Sequence, residues 1–448
     1  MKFVVIGGDA AGMSAASRAK RHVPDTDVIV LEKTNDVSYS ACGMPYNIAD
    51  PAREMDDLVV RSAEIFRNEL NIDLRLGHTV QRIDRAAKKV TGTTSEGAEF
   101  EVEYDKLLIA TGASSSVLEV PGNDLDGVVT LKSLEDGRLI KDYIQRFQVQ
   151  RVMIVGIGYI GMEMAEAYHA LGIRVDMTKP GQRLLPWMPE EIARVVKQEL
   201  LNQGVLLHLG AALEKIERSD GGLKLIFSNH EAVEVQMVLM GVGIKPNSGL
   251  AADAGLDLGP ANSIAVDKHL RTSDSDIYAA GDCADAFNVI TGRRVWVPLA
   301  LRANRAGWAV ADNLRGEAPE LPGIVGTAVF KVFGLEVART GLSVKEARDE
   351  GFDPVEEVIT SSTRAHRHPG SGTIHVALVG DRKTGRLLGG VMVGTEGAAH
   401  RINAVAVALH AGMTVAEFCQ CDLAYAPPFS PVWDPALTAA NQLLKALG

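Results

Sequence analysis

Cysteine is scarce in this chain: four residues in 448, at Cys42, Cys283, Cys419 and Cys421. Their spacing builds no pair of CxxC motifs, which argues against a structural zinc site, and no metal is expected. In a reducing compartment they are expected to be thiols unless chemistry uses them. Positive charge is also in deficit. A formal net charge of -11 excludes the basic face that a nucleic-acid binder needs. Long apolar runs are missing as well. The N-terminus, MKFVVIGGDAAGM, has an apolar run too short for a signal-peptide core. Nowhere does an uninterrupted apolar span approach the roughly 18 residues of a membrane helix. A cytoplasmic protein with no membrane partner is expected.

What is present is glycine at telling places. The length suggests roughly three domains, and two segments read as strand, glycine turn and helix. In KFVVIGGDAAGMSAASRAKR, Gly7 and Gly12 take the first and third positions of GxGxxG, while Asp9 takes the middle one. A middle glycine lets backbone approach a diphosphate, and Gly8 is expected to supply that room one residue early. The next apolar run, DVIVLEK, ends at Glu32, where an acid can bind a ribose hydroxyl. In RVMIVGIGYIGMEMAEAYHALG, Gly156, Gly158 and Gly161 fill all three places. Its second strand ends at Lys179 rather than at an acid, and a cation there suits a 2′-phosphate, leaning towards NADPH. Two dinucleotide sites in one chain imply that one nucleotide hands electrons to the other.

YDKLLIATGA, with Ala110, Thr111 and Gly112, and SDIYAAGDCADA, with Gly281 and Asp282, read as two further buried strands. Together these segments resemble the flavoprotein disulfide reductase superfamily. The resemblance implies an α/β fold with two Rossmann-like dinucleotide-binding domains, plus an α+β C-terminal dimerisation domain. The FAD domain would span residues 1–115 and 245–322, split by an NAD(P) domain at 116–244, with dimerisation at 323–448. It places FAD at Gly7, Gly8, Ala11, Gly12, Glu32, Lys33 and Val80, at Ala110 to Gly112, and at Asp282 beside the ribityl chain. NAD(P)H would meet Gly156, Gly158, Tyr159, Ile160, Gly161, Glu163, Lys179 and Gly243. Cys283, next to Asp282, reads as a packed small hydrophobe.

SYSACGMPYNI carries Cys42 just before a Met-Pro step that suits a helix's first turn. A cysteine there meets unpaired N–H groups and the positive end of a dipole, so a favoured thiolate is expected. Five positions away on either side stand Val37 and Asn47, so no CxxxxC partner exists. The pattern Ser38, Cys42, Gly43, Pro45, Tyr46 resembles the single-cysteine branch of the superfamily. That branch holds coenzyme A disulfide reductases, NAD(P)H polysulfide and persulfide reductases, and NADH oxidases and peroxidases. The resemblance extends to PLALRANRAG, whose Leu299 and Ala300 would face the flavin, and to DLAYAPPFSPVWDP near the C-terminus. It implies a homodimer in which Tyr425 of one subunit approaches Cys42 of the other.

Within the branch, oxidases and peroxidases carry a histidine where this chain has Ala10, which disfavours oxygen chemistry. HRHPGSG stands where coenzyme A disulfide reductases often show Tyr-Tyr-Pro-Gly. Its Arg367 and His368, with Arg364 nearby, could attract an anionic sulfur substrate. Arg18, Lys20 and Arg21 on the first helix are candidates for coenzyme A phosphates, and Ser38 for the mouth above Cys42. Cys419 and Cys421 are expected on a helix, Cys421 in the core and Cys419 semi-buried. No rhodanese-like domain is expected after the dimerisation domain. The expected enzyme reduces a disulfide, polysulfide or persulfide through Cys42. An oxidase or peroxidase cycling Cys42 through a sulfenic acid is the same-class alternative. A flavoprotein electron donor to a protein partner is the other.

Overall fold

The computed structural model describes residues 1–316 and 319–448. Its first sheet is five parallel strands in the order Ile277–Ala279, Lys106–Ile109, Lys2–Ile6, Asp27–Leu31, Asp73–Arg75. Central strands of a parallel sheet are covered on both faces and so read as unbroken apolar runs. KFVVI and KLLI do so, with Phe3, Val4, Val5, Leu107, Leu108 and Ile109 fully buried. The strand Ile277–Ala279 returns from far along the chain to close this sheet. Helix Ala10–His22 presents Ala11, Gly12, Ala15, Ala16 and Ala19 inward. Those small residues let helix Ala300–Leu314 come close: a Cβ on Gly307 would meet the Ala11 carbonyl oxygen at 2.3 Å.

A second parallel sheet has the order Leu206–Leu209, Arg174–Lys179, Arg151–Val155, Met237–Met240, Val128–Val129. The chain enters and leaves this unit through a short antiparallel ribbon, Ala113–Ser115 against Ile244–Pro246. Asn247 locks the ribbon. Its backbone oxygen accepts from the Thr111 hydroxyl at 2.6 Å, its amide donates to the Thr111 carbonyl at 2.9 Å, and its side-chain oxygen accepts from Ser114 at 2.7 Å.

The third unit is a five-stranded antiparallel sheet from Ala328 to Gly394. Helices Ala398–Ala411 and Pro435–Leu447 pack on it through Ile402, Val405, Leu409 and Leu443. Phe330, Val337, Ala377, Val391 and Val393 instead join the core of the second nucleotide unit, beside Met162 and Tyr168. The strand LLGGVMVG is consequently buried along its whole length. Among the described residues, no helix is long and apolar enough to cross a membrane.

Asn247→Ala would strand the Thr111 carbonyl and the Ser114 hydroxyl at the crossing point. Unfolding in urea is expected to lose about 1–3 kcal/mol, the cost of half-buried polar groups left unpaired. An unchanged midpoint would mean the ribbon holds without this residue.

Candidate functional site around Cys42

The first glycine turn is fixed by packing. Gly7 has φ +107°, and a Cβ there would meet the Ala110 carbonyl oxygen at 2.3 Å; one on Gly12 would meet the Gly7 oxygen at 1.9 Å. Glu32 is buried and turned back onto the turn: one oxygen accepts from the Gly8 N–H at 2.7 Å, the other from the Thr34 N–H at 2.8 Å. Gly8 does not supply the expected room for a diphosphate. A Cβ there would meet Val37 and Glu32 side chains at 3.0 and 3.1 Å, so its bareness serves packing against the second strand. The first turn of helix Ala10–His22 has no capping side-chain bond and no acidic residue. Open N–H groups and the positive dipole end there fit a nucleotide diphosphate. Ala11 and Val80 are buried under this turn, Lys33 is exposed beside it, and the Ser38 N–H donates to the Gly8 carbonyl at 3.1 Å.

Asp282 lies across the turn. Its carboxylate pairs with Lys132 at 3.0 Å, and its carbonyl accepts from the Trp296 indole at 2.8 Å. Sequence reasoning missed Lys132, because a lone lysine in TLKSLED carries no signal until the fold brings it to Asp282. Leu299 caps helix Ala300–Leu314 without a side-chain bond, leaving a second open helix start at this site. Cys283 is fully buried, its thiol near the Ile109 and Ala280 carbonyls.

Cys42 sits in the 3-10 turn Ala41–Gly43 and is reachable by solvent. Met44–Ile48 follows as a helix with Pro45 in its first turn. The expected stabilised thiolate is not what the chain alone provides. The Cys42 thiol is pushed above its usual range by crowding protein, then by the charge of Glu163, with Asp282 and Asp9 adding and only Lys132 opposing. A five-residue helix carries too few aligned peptides to outweigh that burial and those carboxylates.

Glu163 belongs to the second glycine turn. Gly156 has φ +103° with no room for a Cβ, and a Cβ on Gly161 would meet the Gly156 oxygen at 2.6 Å, whereas one on Gly158 would meet nothing within 4 Å. Helix Tyr159–Ala170 starts there without a capping side chain. Ile160 is half-buried, Tyr159 lies 4.9 Å from the Phe330 ring, and Glu163 accepts from the Tyr46 hydroxyl at 3.0 Å. That bond joins the helix after Cys42 to the second nucleotide unit, a link absent from the sequence reading. Burial raises the Glu163 pKa. Lys179 stands at its strand end, but its ammonium donates to the Leu184 carbonyl at 3.2 Å, and burial lowers its pKa. Gly243, φ +113°, lies at the ribbon's entry.

The basic candidates are mostly spoken for. Arg18 forms a two-pronged pair with Asp312 at 2.6 and 2.8 Å, and Lys20 reaches the Pro24 and Thr26 carbonyls. Arg21 remains exposed on that helix. Arg364 is likewise clamped by Glu396 at 2.7 and 2.8 Å, leaving Arg367 exposed and His368 half-buried on their loop. Tyr425 is exposed on the C-terminal segment, and Cys42 and Tyr425 are not joined within one chain by any hydrogen bond among the described residues. The two nearby cysteines reverse the expected order. Cys419, ending the helix Val415–Phe418, is buried, while Cys421 lies half-exposed beyond it.

Glu163→Gln removes the carboxylate that most disfavours the Cys42 thiolate. The pH profile of Cys42 alkylation by iodoacetamide should move to lower pH, with faster reaction at neutrality. A profile that stays in place would assign the raised thiol to burial and the charges of the first turn, without Glu163.

The pyridine nucleotide-disulphide oxidoreductase model matches residues 1–307, and the dimerisation-domain model of the same family matches residues 327–437. The chain is 40% identical over 442 residues to the NAD(P)H coenzyme A polysulfide/persulfide reductase of Pyrococcus horikoshii, covering 99% of this chain and 98% of that one. It is 32% identical to an NADH oxidase of Methanocaldococcus jannaschii, over 100% of this chain and 99% of that one. The solved NAD-dependent persulfide reductase from A. fulgidus superposes with a TM-score of 0.96 at 35% identity, over 100% of this chain and 83% of that one. The chain belongs to the pyridine nucleotide-disulphide oxidoreductase family of FAD- and NAD(P)H-dependent enzymes.

Proposed function

We propose that this chain is a homodimeric, cytoplasmic NAD(P)H-dependent reductase of small disulfides, polysulfides or persulfides, with Cys42 as its one redox-active sulfur. The observation that carries the proposal is an accessible lone thiol set between two dinucleotide turns. It feels Asp9 and Asp282 from the first and Glu163 from the second. FAD, held by the first turn, would relay electrons from NAD(P)H, held by the second, to sulfur bonded at Cys42. The chain's own residues do the rest. The Cys42 sulfur attacks one sulfur of the S–S bond, the other departs as a thiol or sulfide carrying a proton, and a two-electron reduction splits the remaining mixed disulfide. Tyr425 of a second copy would give the departing sulfur its hydrogen bond.

An exposed apolar band supports the dimer: Tyr425, Phe429, Val432 and Trp433 are 48, 75, 67 and 61% exposed. Arg21, Arg367 and His368 remain available to an anionic substrate such as coenzyme A persulfide or a polysulfide. Lys179 supports use of NADPH if its ammonium leaves the Leu184 carbonyl for a 2′-phosphate. Four free thiols suit a reducing compartment.

Cys42→Ser should keep reduction by NADPH yet lose turnover on coenzyme A disulfide and polysulfide by about a thousandfold or more. Fast reoxidation by oxygen or peroxide in the wild type, with little on sulfur substrates, would select the oxidase reading instead. Gly158→Val tests the division of cofactors, since its side chain meets only the space reserved for a diphosphate. FAD content should be unchanged, while the NAD(P)H concentration needed for half-maximal reduction rises at least about tenfold. Loss of FAD instead would reverse the two assignments.

A further inference from the structure

The residue that breaks the glycine pattern of the first turn is Asp9. It caps helix Ala10–His22 at φ -105°, ψ -154°, but its side chain makes no capping bond to the N–H groups of the next turn. One of its carboxylate oxygens is buried with no hydrogen-bond partner. Gly8 offers no compensating space, because Val37 and Glu32 fill it. The anion of this side chain and the diphosphate of a nucleotide are therefore directed to one helix N-terminus.

The surroundings make that competition severe. Glu32 faces Asp9 from the end of the second strand, Asp282 from beyond the closing strand, and Tyr39 and Cys42 from the segment leaving the sheet. Lys132, ahead of helix Leu134–Phe147, is the cation facing Asp9, and it is already paired with Asp282 at 3.0 Å. Glu32 spends its charge on the Gly8 and Thr34 N–H groups. Asp9 and Asp282 share one ammonium before any phosphate arrives, with the Glu32 charge beside them.

We propose that Asp9 takes up a proton when FAD binds, so that retention of the flavin by this chain is coupled to pH. The inference rests on the placement of FAD at the first turn. A protonated Asp9 removes the like charge and offers a hydroxyl donor at the place where an unpartnered oxygen now lies. Even without the nucleotide, burial raises the Asp9 pKa to about 6, with Lys132 and the adjacent Ala10 N–H opposing and Glu32 and Asp282 adding. A diphosphate raises it further. Between the two values the loaded chain holds one proton more than the unloaded one. FAD affinity therefore falls as pH rises, towards the limit of about tenfold per pH unit set by one coupled proton.

The test is dilution of the purified holoenzyme from pH 6 to 8.5 at fixed ionic strength, with released FAD read by its fluorescence. The wild type should lose FAD more readily with each step up in pH. Asp9→Asn, which has the same shape and no charge, should hold FAD more tightly at pH 8 and show no such slope. A wild-type dissociation constant independent of pH would overturn the proposal, and so would a slope that persists in Asp9→Asn. If Gly158→Val shifts FAD release while Asp9→Asn does not, the placement of FAD itself is wrong, and the inference falls with it.

Discussion

Both nucleotide units depend on one close contact, between the first residue of a glycine turn and the helix that leaves it. A Cβ on Gly12 would lie 1.9 Å from the Gly7 oxygen, and one on Gly161 would lie 2.6 Å from the Gly156 oxygen. Any side chain there would push the helix away from the strand that feeds it. With glycine, the helix start lies directly over the strand ends and its open N–H groups face the cleft. The two turns then approach each other because the ribbon locked by Asn247 makes both crossings of the chain at one place. Cys42 occupies the ground between them.

That ground is acidic. Burial, then Glu163, Asp282 and Asp9, disfavour charge on the thiol, and Lys132 opposes them. The chain by itself thus rests with a protonated Cys42, and thiolate character must come from whatever changes this charge balance. Proton uptake at Asp9 would change it in that direction, since a neutral Asp9 no longer raises the thiol. The same carboxylate would thus bear both on cofactor retention and on the Cys42 thiol. A glycine at that position would have separated the two.

Much of this was legible in the sequence, for local reasons. Strand, glycine turn, helix and terminal acid lie within a few dozen residues, and their periodicity reports them directly. Cys42 was legible because a cysteine before a Met-Pro step is a local pattern too. What the sequence concealed was every pairing across long separations. Lys132 meets Asp282 over 150 residues, Arg18 meets Asp312 over 294, and Tyr46 meets Glu163 over 117. The thiol's expected direction failed for this reason: the helix was visible, the burial and the facing carboxylates that the fold brings to Cys42 were not. Cys419 and Cys421 exchanged roles because the helix stops at Phe418, so helical spacing no longer governs which of them points inward.

The position of Cys42 is governed by the second nucleotide unit, although the chain reaches it from the first. Met44, Ile48, Met55 and Leu58 bury themselves in the core that contains Met162, Met164 and Tyr168. Helix Leu134–Phe147 grips the same segment from its polar side. Arg138 clamps Asp36 at 2.8 and 2.9 Å and reaches Asp56 at 2.6 Å, while the Lys141 ammonium collects the Asn47 and Asp50 carbonyls at 3.1 and 3.0 Å. Charge-assisted bonds of this kind fix geometry more than they add stability, being partly exposed. A rotation of one unit against the other would therefore carry the thiol with the second unit and change its distance from the first turn. With no second cysteine beside Cys42, these contacts of the protein frame are what hold the sulfur in place.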